Sequence, residues 1–273
     1  METETVNGVR LAYELVGGGE IAFVAIHGSW SSHATWDLVA PELSERYRVL
    51  TYDRRGHSES ERPAGQGTLH QDVEDAAALI ERLGLAPAYV AGNSSGAEVA
   101  ILLAADRPEL VRGLIGHEPA FLSLLKDRPG YSTMVSEADR NTASVLDLIR
   151  AGDHAGAAEL FVETIALGPG TWDQLPETMR SRMIENAPTF LDEENAPDNG
   201  RIDLGRLERF PGPALLTLGH QSPPMFAPIA RMIAEALPQA EVLTFAGAGH
   251  IPHATHPREF TEAVTAFIEK HEG

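Results

Sequence analysis

The sequence predicts an α/β protein: a mostly parallel central sheet with helices on both faces and an inserted helical lid. Three observations carry this expectation. Apolar β-rich runs alternate with helix-period runs along most of the 273 residues, the pattern of repeated strand–helix–strand units. Between residues 121 and 205 the strands stop while helical patterns continue, and after residue 206 the alternation resumes. The expected division is a core of residues 1–120 and 206–273 with residues 121–205 as the helical lid.

Taken in order, "VRLAYELV" and "IAFVAIHG" read as strands, with the three glycines at 17–19 as a hairpin connection. An amphipathic "WDLVAPELSER", a strand "YRVLTYD" and a helix "HQDVEDAAALIERLG" follow. Then come the strand "PAYVAGN", the helix "SGAEVAILLAADRP" and the strand "VRGLIGHEP". The insertion carries helical patterns in "TASVLDLIRAG" and "HAGAAELFVETIALG". A strand "PALLTLG", a helix "FAPIARMIAEALP", a strand "AEVLTFAG" and a helix "PREFTEAVTAFIEKHE" close the chain. Helices inserted between late strands of such a sheet fall at the carboxyl ends of the strands, where these sheets bind ligands.

Composition narrows the chemistry. Hydrophobic residues make up 43% of the chain, enough for a full core. Forty Asp and Glu against 21 Lys and Arg give a formal charge of −19, which repels nucleic-acid phosphates and anionic lipid surfaces. The expected partner is a small neutral or weakly polar molecule, not a nucleic acid or a membrane. Oligomeric state and substrate identity are not legible at this level. There is no cysteine, so disulfides, thiolate zinc sites and thiol nucleophiles are excluded. The first residues lack a basic start followed by an apolar stretch, and no apolar run approaches ~18 residues; a cytoplasmic protein without a cofactor is expected.

Gly92-Asn93-Ser94-Ser95-Gly96 fits G-x-S-x-G and stands between a strand and a helix. A tight turn of this kind projects the central hydroxyl, here Ser94, at the top of the sheet, with glycines where a Cβ would strike backbone. The helix N-terminus offers backbone N–H groups to a developing oxyanion, beginning with Ser95. A plain helix cap is the competing reading. The loop after the strand "IAFVAI" runs His27-Gly28-Ser29-Trp30, where a second oxyanion donor originates in enzymes with this turn; Ser29 N–H is the candidate.

His250 follows the last strand in a glycine-punctuated loop, "FAGAGH", free to reach over the strand ends as a general base. The stretch "HIPHATH" also spaces His250, His253 and His256 at three-residue steps, but Pro252 and Pro257 break the helix that would gather the rings on one face, so no metal is expected. In the chain order nucleophile, acid, base, the carboxylate lies between residues 94 and 250. The loop after "ALLTLG" holds Ser222 where an aspartate is usual, no aspartate follows Asp203, and Glu235 and Glu241 lie on a helix and at a strand's far end. Glu118, at the end of "VRGLIGHEP" and set by Pro119, is the candidate acid.

With these residues in place the chain resembles the α/β-hydrolase superfamily over nearly its whole length outside the lid. His27-Gly28 matches that family's HG oxyanion loop, and residues 53–60, "DRRGHSES", match in part its D-x-R-G-x-G-x-S stretch, with Ser58 replacing a glycine. His117-Glu118 is similar to the strand end that carries the acid in lactone hydrolases such as the fungal zearalenone hydrolases. The resemblance implies hydrolysis of a carboxylic ester or lactone by Ser94, His250 and Glu118 through an acyl-serine. Trp30 at the mouth, Phe121 and Trp172 are expected to shape an apolar pocket. A hydrolase-like ligand-binding receptor, a cofactor-independent perhydrolase and a carbon–carbon bond hydrolase keep the same serine and stay open; the family's dehalogenases and epoxide hydrolases use an aspartate nucleophile, against which Ser94 argues.

Overall fold

The computed structural model describes residues 1–126 and 128–273. Among these, eight strands form one sheet: β1 (Glu2–Val6), β2 (Val9–Val16), β3 (Ala22–Ile26), β4 (Arg48–Tyr52), β5 (Ala88–Asn93), β6 (Val111–His117), β7 (Ala214–Gly219) and β8 (Ala240–Phe245). Their order is β1-β2-β4-β3-β5-β6-β7-β8. From β4 to β8 all neighbours are parallel, and β1 and β2 add an antiparallel edge.

Ten α-helices accompany the sheet among the described residues: α1 (Ala40–Ser44), α2 (Leu69–Arg82), α3 (Ser95–Asp106), α4 (Ser132–Arg150), α5 (His154–Phe161), α6 (Glu177–Glu194), α7 (Leu204–Leu207), α8 (Phe226–Ala236), α9 (Pro252–Thr255) and α10 (Pro257–Glu272). The two-residue period of a strand divides its side chains between two cores. Val24, Ile26 and Val90 face α2, α3 and α8, while Phe23, Ala25 and Tyr89 face α1 and α10. Helices α4, α5 and α6 pack over the strand ends around a third apolar cluster that includes Val145, Ala158 and Phe190. None of the described helices is long and apolar enough to cross a membrane.

The sequence misleads at the amino-terminal edge. Strands β2 and β3 are not a hairpin, because β4 pairs with both of them. Residues 17–19 instead thread beneath the turn that leads into β4: a Cβ on Gly17 would lie 2.2 Å from the Tyr47 carbonyl oxygen, and one on Gly19 2.0 Å from that of Arg46. Gly17 and Gly19 are required by backbone proximity, not by a tight turn, whereas a Cβ on Gly18 would meet nothing within 4 Å. The true hairpin joins β1 to β2 through Asn7 (φ 49°) and Gly8 (φ 78°), a two-residue Asn-Gly connection with both residues left-handed. The amphipathic run after residue 36 is helical only over Ala40–Ser44, where Pro41 sits in the first turn.

Asn186 is among the side chains that fasten the helical insertion to the loops after β3 and β4. Asn186 on α6 donates to the Ser31 carbonyl (2.8 Å) and to Ser58 Oγ (3.1 Å) and accepts from the Ser58 N–H (2.8 Å). Ser58 has φ 45°, so the position that departs from the glycine of the family stretch keeps a glycine-like backbone, with its hydroxyl bound by Asn186.

Candidate active site

Strand β5 ends at Asn93, Ser94 adopts φ 56°, ψ −122°, and α3 begins at Ser95. A non-glycine residue in this region costs about 1–3 kcal/mol and persists only where its surroundings impose it. Here the imposition is packing. A Cβ on Gly92 would lie 2.1 Å from the Gly96 carbonyl oxygen, and one on Gly96 2.3 Å from that of Ile26, so strand and helix approach more closely than side chains allow. Ser94 N–H donates to the His117 carbonyl at 2.9 Å, and its own carbonyl accepts from Ala97 and Glu98. Gly96→Val is therefore expected to abolish cooperative folding; a normal thermal transition in that variant would show that the turn tolerates bulk.

The loop after β3 lies against this turn: a Cβ on Gly28 would be 3.1 Å from Ser94 Cβ. Ser29 Oγ donates to Ser95 Oγ at 3.0 Å, joining the two residues expected to supply oxyanion N–H groups. His27 is a brace. Its Nε2 accepts from the Arg54 N–H (3.0 Å), which assigns the proton to Nδ1, donated to the Gly28 carbonyl (2.8 Å).

Glu118 stands next to this turn because β6 is the neighbour of β5, with Asn93 opposite His117. Glu118 Oε2 is 2.5 Å from His250 Nδ1, and Oε1 accepts the Gly219 N–H at 2.7 Å. Burial opposes the charge on Glu118, but the His250 hydrogen bond holds its carboxyl below the usual carboxylate range. The His250 ring stacks on Phe226 at 4.4 Å between centroids, and its carbonyl accepts from Asn93 Nδ2 at 2.9 Å. Ser222, in the loop where an aspartate is usual, is half-buried with its hydroxyl out of solvent and without a hydrogen-bond partner.

Ser94 and His250 both line a cavity of about 330 Å³ and a second of about 90 Å³. Leu146, Phe161, Ile165, Phe190 and Met225 furnish much of the larger cavity's apolar wall. Of the three aromatic residues expected in the pocket, Trp30 lines the smaller cavity and the other two line neither. Trp30 is not at a mouth: it is fully buried between Phe161 and Phe190, with centroids 4.9 and 5.0 Å away, and borders the smaller cavity. Phe121 turns down into the sheet core with Leu125 and Val135 and lines neither cavity. Trp172 packs on the outer side of the insertion under Arg180, also away from both.

The opposite wall of the larger cavity is polar and was not anticipated. Arg54 is fully buried; it donates to Asp72 (3.2 and 3.3 Å), Ser95 Oγ (3.0 Å) and Glu193 Oε1 (2.6 Å). Glu98, 3% exposed, projects from α3 into the same space. Burial, then the charges of Glu194 and Glu193, raise its pKa well above the usual value; burial and Glu193 raise Glu194 to about 7. A single carboxylate in the otherwise apolar "SGAEVAILLAA" was the available signal. Once unfolded, Glu98 loses its proton near pH 4.5, whereas the folded chain retains it to higher pH, so its contribution to stability falls as pH rises through that window. Glu98→Gln is expected to raise Tm relative to the native protein more at pH 8 than at pH 5; an equal change at both would refute the raised value.

The histidines at 250, 253 and 256 do not converge. His253 is buried against Trp36 (4.4 Å) with Nε2 on Thr35 Oγ1 (2.9 Å), and His256 Nδ1 meets its neighbour Thr255. Ligand atoms of His117, Glu118 and His250 do lie within 4.8 Å of one another. A cation there would have to break the His250–Glu118 hydrogen bond, and burial holds His117 neutral, with its pKa down to about 3 and Nδ1 on Thr217 Oγ1 (2.9 Å). The donor set fits a hydrogen-bonded pair better than a metal.

Comparison with known proteins bears on the fold and the family. Over 98% of its length the chain is 26% identical to mouse sn-1-specific diacylglycerol lipase ABHD11, covering 88% of that protein. A thermophilic esterase from Thermogutta terrifontis superimposes with a TM-score of 0.79 at 24% identity, with 99% of this chain and 97% of that one covered. The enol-lactonase from Burkholderia xenovorans LB400 gives 0.80 at 22%, with 98% and 100% covered. These two likenesses speak to the fold. The family model described as "Alpha/beta hydrolase family" matches residues 23–263, and the chain belongs to the alpha/beta hydrolase family.

Proposed function

We propose that the protein is a serine hydrolase that cleaves a carboxylic ester or lactone of a small, mainly apolar molecule. The observation that carries this reading is the 2.5 Å bond from His250 Nδ1 to Glu118, on a histidine that shares its cavity with a serine held at positive φ. A carboxylate on Nδ1 keeps the proton there and leaves Nε2 as the basic atom. Ser94 Oγ attacks the substrate carbonyl while its proton passes to His250 Nε2, and the imidazolium is stabilised by Glu118. The N–H groups of Ser29 and Ser95, with the α3 N-terminus behind them, hold the oxyanion. Collapse expels the alkoxide, which takes the proton from His250; in a lactone it stays tethered to the acyl group. Water then gives its proton to His250 and attacks the acyl-serine, and the acid leaves as Ser94 recovers its hydrogen.

The volume of about 330 Å³ suits a small substrate, and the apolar wall suits its hydrocarbon part. Intact mass after treatment with a fluorophosphonate, followed by peptide mapping, tests the reading. One adduct is expected, on Ser94 and absent in His250→Ala. A folded protein that stays unlabelled would remove the activated nucleophile from the account and favour a binding protein on the same fold.

A further inference from the structure

The polar wall opposite the apolar one has an imbalance that the hydrolytic groups do not explain. Its arginines are already engaged by protein partners, and Lys126, the remaining cation of the lining, is exposed and lies 3.9 Å from Asp139. Arg54 is bound by Asp72, Glu193 and Ser95; Arg55 donates to Asp75 at 2.8 and 2.9 Å; Arg62 donates to the Gly56 carbonyl and Thr189 Oγ1. The carboxylates are less fully matched. Among the described residues, Glu98 Oε1 and Glu193 Oε2 are buried without a hydrogen-bond partner, and both residues border the cavity. They come from different elements, α3 and the last turn of α6, with Glu194 beside them.

Buried carboxyl oxygens without partners are costly, and removal from water makes the cost larger for the charged form. A hydrocarbon group placed here would leave them unpaired. An anionic group would meet a lining with six carboxyl groups, Asp72, Glu98, Asp139, Asp192, Glu193 and Glu194, against four cations. A protonated nitrogen reverses both penalties, since an ammonium brings a positive charge and three donors. We propose that this wall is a cation subsite, in which Glu98 and Glu193 receive a primary ammonium group of the substrate. It shares its cavity with the nucleophile, and on α3 the Glu98 N–H donates to the Ser94 carbonyl at 3.2 Å, which sets the two backbone positions one helical turn, ~5.4 Å, apart along the axis. The role assigned to the ammonium, as part of a substrate, rests on the hydrolase reading; its binding does not.

The test titrates hexylammonium, hexan-1-ol and hexanoate into the native protein by calorimetry at pH 7.5. Hexylammonium is expected to bind at least tenfold more tightly than either, and the preference is expected to shrink to less than threefold in Glu98→Gln and Glu193→Gln. Equal or tighter binding of the alcohol, no measurable binding of the ammonium, or a preference that survives both substitutions would overturn the subsite. Circular dichroism controls for folding, and if Glu98→Gln does not fold, Glu193→Gln gives the same reading. Hydrolysis of the p-nitrophenyl esters of 6-aminohexanoate and heptanoate separates the two ideas. Cleavage of the heptanoate ester without any ammonium preference removes the subsite alone. An ammonium preference in a protein that cleaves neither ester removes the hydrolase reading alone.

Discussion

Ser94→Ala is expected to lower kcat on an activated ester by roughly 10⁴–10⁶ while the melting curve stays close to that of the native protein. The loss follows from removal of the attacking oxygen, since the oxyanion donors and the apolar wall stay in place. The fold is expected to survive because the turn is imposed by the backbone packing around Gly92, Gly96 and Gly28, not by the hydroxyl. Alanine at φ 56° carries the same backbone strain as serine. Single-turnover measurements with p-nitrophenyl butyrate would check this. Retention of more than about a tenth of the native rate would assign the attack to another group.

The second large effect concerns the acid. Glu118→Gln keeps the shape of the side chain and its contact with the Gly219 N–H but cannot stabilise an imidazolium, so kcat is expected to drop by roughly 10²–10⁴. Ser222→Asp added to Glu118→Gln places a carboxylate beside the neutralised side chain and is expected to restore part of the loss. Ser222→Asp alone sets two carboxylates side by side and is expected to lower activity. An unchanged rate in Glu118→Gln would mean that His250 works without an acid partner. The dependence on pH has a definite sign. The Glu118 carboxyl sits below its ordinary range, so the stability its pairing contributes is present above the unfolded value of about 4.5 and is lost as pH falls through the lower folded value.

Much of this arrangement was legible before any coordinates. The G-x-S-x-G turn, the HG loop and the glycine-rich approach to His250 are local signals with steric causes, and they place Ser94, Ser29 and His250 at the ends of β5, β3 and β8. Glu118 could be reached by elimination, because the loop after β7 offers a serine and no aspartate follows Asp203. Aromatic residues were read poorly. Trp30, Phe121 and Trp172 have a size and an apolar character that suit a cavity wall and a core equally; packing put Phe121 and Trp172 away from both cavities and left Trp30 buried at the smaller one instead of at a mouth. The hairpin assigned to residues 17–19 failed because glycine also serves close backbone approach, while the Asn7-Gly8 turn was hidden beside the charged and threonine-rich β1. Arg54, Asp72, Glu98 and Glu193 lie far apart in sequence, and no local pattern announces that α2, α3 and α6 bring them together.

The acid's address has a mechanical consequence. Glu118 occupies a left-handed kink, φ 48°, at the last residue before Pro119, and three residues after it Phe121 is wedged into the core. The chain then rises into the helices that roof the cavity. A carboxylate after β7 would be insulated from that roof, whereas this one is mounted at its root, between a strand and an anchor. One backbone kink thus does two jobs: it aims the carboxylate at His250 and turns the chain out of the sheet, so the acid is fixed by the same few residues that begin the insertion.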